Sequence, residues 1–275
     1  MLPIRLGLWL SLILASQAVF AQKTWHYDML LNSKIIGEQS LRQIDNKQGS
    51  MLVQTTKVEK KGWFSSFEMH GISVEQLNPK GNTQAIQTRV TADNRTWWSQ
   101  LSTDEYGASG SGRDLGELGE PLKKKLAALD KKILSSDPLA MAEIQSLTEE
   151  LLDNAGTQES SQPQASLDPE ARFVTSLNAL PFYLKRAGRI PGSLQLIDNE
   201  GLQVINSPIV DLGTQSMEIG GAHYIARHIK VAKADAGTHI WFNEGDEGPV
   251  VLMIAGKSGK KKFQISLKEE QSASD

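Results

Sequence analysis

The 275-residue chain contains no cysteine. That excludes disulfides, thiolate metal sites, a cysteine nucleophile and a lipid-anchored N-terminal cysteine. There is no surplus of positive charge either: 29 Lys and Arg face 32 Asp and Glu, a formal charge of −3. A general nucleic-acid binder needs a basic face to neutralise phosphates, so no nucleic-acid partner is expected. After the first 21 residues no apolar run approaches the about 20 residues that span a bilayer, so no transmembrane anchor is expected once a leader is removed. The sequence has no Gly-x-Ser-x-Gly, no His-Glu-x-x-His and no phosphate-binding glycine loop. Its carboxylates are scattered. No catalytic residue, metal ligand or cofactor is therefore nominated, and a hydrolase ranks as the third reading of function.

What the chain does have starts with a leader. Arg5 supplies a positive n-region, Leu6 to Leu14 an apolar stretch, and Val19-Phe20-Ala21 a small-residue cleavage site. Residues 1–21 read as a signal peptide cleaved after Ala21, and the periplasm is the expected location. Without disulfides, the exported chain must be stabilised by its core alone, for which residues 22–275 are long enough.

Charge and aromatics divide that domain. Residues 107–172 carry a net charge of −5 and no Phe, Trp or Tyr, whereas 22–106 and 173–275 carry +1 and zero. Aromatic side chains dominate core burial, so 107–172 is expected to be an acidic helical and flexible insertion in a single β-rich domain. In the flanks, Trp25, Tyr27, Met29 and Leu31 alternate as on one face of a strand. Similar runs recur at 51–58, 67–74, 84–92, 203–210, 222–231, 238–242, 250–254 and 263–267. Turn clusters such as Asn78-Pro79-Lys80-Gly81 and Lys257-Ser258-Gly259 stand between them, which means hairpins. The fold class is mainly β, an antiparallel curved sheet forming an open or closed barrel.

Within the insertion, Gly107–Gly119 reads as a flexible lead-in. Leu122, Leu126, Leu129 and Ile133 then mark a helix, and Ile144, Leu147 and Leu151 a second one, as an α-hairpin. Asp168-Pro169-Glu170 is expected to cap a third helix bearing Phe173, Leu177 and Leu180, which Pro181 should end or kink.

Three of the five histidines, His223, His228 and His239, fall within 17 residues, which raises the question of a metal site. A hairpin turn at Asp235-Ala236-Gly237 would set His239 opposite residue 232, leaving His228 about 13 Å away at roughly 3.3 Å per residue. The histidines are therefore read as isolated. Trp63, Phe64 and Phe67 beside Lys57, Lys60 and Lys61 suit an anionic lipid surface, or a basic turn leading into a core strand. Trp97 and Trp98 point to opposite faces of a strand, and one of them needs cover from the third helix or from a partner.

Asn32 to Gly37, Gly71 to Glu75, Asn78 to Gly81, Ala226 to His228, Ile240 to Phe242 and Leu252-Met253 form a pattern. It resembles the uncharacterised exported β-rich domain-of-unknown-function families of Gram-negative bacteria, over residues 23–104 and 178–268. The resemblance implies a periplasmic, non-enzymatic curved sheet and carries over no catalytic residue.

The leading reading is a soluble periplasmic, non-enzymatic protein that binds a lipid or another apolar or amphipathic envelope molecule in a barrel-like hollow. Trp25, Tyr27, Trp63 and Trp241 are the candidate ligand-binding residues. The alternative is a module that binds a basic envelope protein through the acidic α-hairpin.

Overall fold

The computed structural model describes residues 22–46, 49–61, 66–103, 107–134, 160–161, 165–166, 174–198, 203–232, 237–245 and 249–272. The leader, Trp63 and the expected second helix lie outside the described residues.

Period-two alternation builds most of the molecule. Strand β1 (Gln22–Leu31) buries Trp25 and Tyr27 on one face. It is followed by β2 (Lys34–Asn46), β3 (Gly49–Lys61), β4 (Ser66–Leu77), β5 (Thr83–Ala92), β6 (Arg95–Thr103) and β7 (Gly107–Glu117). Helix α1 (Glu120–Leu134) comes next, then the two-residue strands β8 (Ser160–Ser161), β9 (Ala165–Ser166) and β10 (Val174–Thr175). Helix α2 (Leu180–Ala187) precedes β11 (Ser193–Asp198), β12 (Gln203–Ile219), β13 (Ala222–Val231), β14 (Thr238–Asn243), β15 (Val250–Ser258) and β16 (Lys261–Ser272). Asn32-Ser33 and Asp93-Asn94 take positive φ at both positions, 48° and 65°, 47° and 68°. Such turns match the twist of tight hairpins, and Asn and Asp tolerate this conformation better than other side chains.

The hydrogen-bonded order runs from β10 through β11 to β16, then β1 to β7 and β8, with β9 also on β7. The β1–β16 ladder joins the two flanks of the chain into one sheet, antiparallel but for the short β10 beside β11. The sheet curves until its ends meet through side chains: Ile86, Leu101 and Ala108 pack on Ile197 and Val204. No ladder among the described residues joins those ends, so the barrel is open.

Each face of the sheet carries one helix. Leu52 and Leu77, on the inner face, join Trp25, Tyr27 and Leu41 in the main core with Leu180, Phe182, Tyr183 and Leu184 of α2. The Trp25 and Phe182 rings are 6.4 Å apart and tilted by 59°. Val53 and Val74, pointing the opposite way, receive Leu129 and Ile133 of α1. Leu126, with Leu122 beside it, packs on Trp98, Leu115 and Leu118. The apolar stripe read from the sequence is therefore the seam by which α1 docks. Arg42 donates to the Ile133 carbonyl at the C-terminal end of α1, where a cation also complements the helix dipole. Arg89 pairs with Asp130 one turn earlier.

Two expectations are overturned. Gly107–Gly119 is not a flexible lead-in: 107–117 form β7, paired with β6 from Thr103↔Ala108 to Arg95↔Glu117. Small residues suit this strand, since a Cβ on Gly110 would come within 3.1 Å of the Gln100 carbonyl oxygen. Pro181 does not end a helix but sits in the first turn of α2, where the missing N–H is no loss. Gly188 closes α2 in the left-handed region, φ 65°.

One carboxylate is buried within the inner face. Glu75, 3% exposed, accepts from Ser176 Oγ at 2.6 Å and from Thr83 Oγ1. Ser176 Oγ in turn accepts the Ala179 N–H at 3.1 Å, so Glu75 ties the start of α2 to the sheet.

Candidate functional site

The α1-bearing face of β1 to β5 holds a groove of about 620 Å³. Its floor follows from register. One cross-strand row runs His26, Ser40, Thr55, Ile72, Arg89, and the next runs Asp28, Glu38, Lys57, His70, Thr91. Side chains two apart on a strand share a face, so these ten groups converge. Asp130 of α1 and Lys268 of β16 add to the lining.

The groove is polar and carries both signs of charge. Arg89 is bound to Asp130, with their side chains only 16% and 27% exposed. Lys57 Nζ lies 2.6 Å from Glu59, and the hydrogen bond and charge of Glu59 hold its ammonium above the usual lysine range. Lys268 Nζ stands 4.0 Å from Asp28. His70 Nε2 meets Glu68 at 2.8 Å, and Ser40 and Thr55 share a 2.6 Å hydrogen bond. Among the described residues, Ile72 is the one aliphatic side chain of the lining. A concavity of this size suits a small ligand, and its chemistry suits hydroxyls and ionic groups rather than bare hydrocarbon.

Among the described residues, the nominated Trp25, Tyr27 and Trp241 do not line one cavity. Trp25, 1% exposed, is core, packed among inner-face side chains and α2. Tyr27, 2% exposed, belongs to the same core and borders the groove floor. Helix α2 fills the space that an apolar hollow would need. Trp98 finds its cover in α1, while Trp97 remains 39% exposed with the Arg95 guanidinium 5.9 Å from its ring centroid. Arg89 and Asp130 carried no motif that would have marked them. The available signal was the unbroken polar alternation on β1 to β5 opposite the core positions, which by itself reads as a solvated face.

Trp241 instead belongs to a second constellation. His228 Nε2 and His239 Nδ1 are 2.8 Å apart, not the 13 Å that the assumed turn implied. His239 pairs with Lys230, and His228 with Trp241, so the two histidines are diagonal neighbours on one face. The Trp241 ring stacks on His228 at 4.1 Å and 15° and on His239 at 5.7 Å and 23°. Burial first, and then the neighbouring His239, lower the His228 imidazole below its usual range. His239 also lines a groove of about 370 Å³ with Lys230, Lys257 and Lys262.

No protein-family model and no curated protein matches this chain. Among solved structures it is similar to a β-barrel-like protein of a domain of unknown function, DUF1849, from Brucella abortus. The TM-score is 0.53 at 9% identity, over 93% of this chain and 99% of that one. At that identity the likeness is one of fold: a β-barrel-like, antiparallel curved sheet shared with an uncharacterised β-rich protein.

Proposed function

We propose that the chain is an exported, non-enzymatic binding protein of the periplasm. It takes an amphipathic envelope molecule by its polar head, in the groove between α1 and strands β1 to β5. The observation that carries this reading is the lining itself: two converging polar rows walled by a docked helix, in a concavity of about 620 Å³. Asp28, Glu38 and Asp130 stand among Lys57, Arg89 and Lys268, which favours a head group bearing both charges over a purely anionic or apolar ligand. The aliphatic stems of Lys57 and Arg89 together with Ile72 offer the apolar contact an amphiphile needs. Because α2 and the main core occupy the inner face, the ligand site moves from the expected hollow to the opposite face.

The test is a titration of the exported form with monomeric lysophosphatidylethanolamine, followed by amide chemical shifts. Saturable shifts grouped on His26, Ser40, Thr55, Ile72 and Arg89 are expected. Shifts confined to the α2 side, or none, would refute the groove.

A protein-binding role has one observation of its own. Residues 210–219 of β12 have no paired strand on their second edge among the described residues, and Val210 and Leu212 are about half exposed there, at 49% and 48%. Such an edge can accept an added strand. Helix α1, the described helix of the insertion, presents Lys124, Lys125 and Lys131 to solvent, so a basic partner would have to be met elsewhere.

A further inference from the structure

We infer that His228 and His239 are a two-imidazole chelate for a divalent transition ion, Cu(II) in first preference. A metal–imidazole bond is about 2.0–2.1 Å, so two nitrogens bound at a right angle to one ion sit about 2.9 Å apart. The His228 Nε2 to His239 Nδ1 distance of 2.8 Å is already that separation. Adjacent strands set it, since the two residues are diagonal neighbours across the β13–β14 ladder. Trp241 holds both rings within about 25° of its own plane, so little side-chain freedom is lost on binding.

Proton accounting allows the exchange. In the free pair one ring nitrogen donates to the other. Binding places that shared proton on the outward nitrogen of its own ring, and both inward lone pairs then face the ion with no net loss of protons. Among the described residues no third His, Cys, Asp or Glu completes a cluster, so the remaining positions are open to water or an anion. Lys230 lies directly opposite His239, and its charge works against any cation. The ion must therefore gain much from imidazole, and affinity for nitrogen sites peaks at Cu(II). A chain without cysteine offers no thiolate to compete or to reduce it.

The experiment is a Cu(II) titration of the exported form read by tryptophan emission and by electron paramagnetic resonance, with Zn(II) and Ni(II) in parallel. Trp241 lies against the chelate, so bound Cu(II) is expected to quench part of the emission saturably at one ion per chain. The resonance should show nitrogen coupling. His228→Asn and His239→Gln should each weaken binding at least about tenfold, which is 1.4 kcal/mol, while His223→Asn leaves it unchanged. Trp241→Phe should keep the resonance and lose the quenching. Binding that persists unweakened in both histidine variants, or that never reaches one ion per chain, would overturn the inference. So would Zn(II) binding tighter than Cu(II), for the choice of ion.

Discussion

Replacing Glu75 separates two things a buried carboxylate can do. Its oxygens accept from Ser176 and Thr83, and among the described residues no ion pair offsets its burial. Removal from water therefore lifts its pKa above the usual carboxylate range, against the smaller opposing effect of the Ser176 and Thr83 hydrogen bonds. A carboxyl raised on folding contributes stability that is fully present below its unfolded pKa, about 4.3, and is lost as pH rises through the folded value. Glu75→Gln keeps the shape and can still pair with both hydroxyls, but it does not titrate. The wild-type protein should therefore lose stability relative to Glu75→Gln as pH rises from about 4.5 to 8. Glu75→Ala instead removes the acceptor of both hydroxyl protons. At about 1–3 kcal/mol for each unsatisfied group, it should cost about 2–6 kcal/mol. Urea unfolding of the three proteins at pH 5, 6.5 and 8, followed by tryptophan emission, measures both quantities. A wild-type minus Gln difference that is flat or rises with pH would refute the burial argument. An Ala variant within 1 kcal/mol of wild type would show that Glu75 does not hold the start of α2.

Phe182→Ala should lose about 3–5 kcal/mol in the same assay, because the ring packs against Trp25 in the main core. Leu129→Ala and Ile133→Ala should each cost about 2–4 kcal/mol and red-shift emission from Trp98, since the α1 seam is its cover; unchanged emission would mean that α1 is not docked in solution. Arg42→Met should raise hydrogen exchange in the last turn of α1, where the guanidinium meets the Ile133 carbonyl, and leave β13 to β16 unaffected. N-terminal sequencing of protein recovered from the periplasm should begin at Gln22, whereas uncleaved protein in the inner membrane would contradict export.

The β class and most strands were legible because one buried face imposes a period of two. Trp25, Tyr27 and the runs at 51–58 and 238–242 are such places. The α1 stripe was legible for the same reason at a period of 3.6. Strand β7 was hidden because Gly107 to Gly116 has the composition of a linker, and only its neighbours, β6 and the short β8 and β9, make it a strand. The groove was hidden because it depends on where α1 lands, and a polar row is the same in sequence whether water or a helix lies over it. The histidine pair turned on register. Moving the pairing partner of His239 from residue 232 to Lys230 brings two imidazoles from separate positions into hydrogen-bond contact.

The central claim is that the groove on the α1 face holds a small amphipathic molecule. Native mass spectrometry tests it, on protein gently purified from the periplasmic fraction of its host beside an Arg89→Met, Lys57→Met double variant made the same way. A discrete retained mass of lipid-like size is expected on the wild-type chain, lost or much reduced on the variant, while both proteins keep the same unfolding midpoint within a few degrees. A bare wild-type chain, or an adduct carried equally by both proteins, would contradict it.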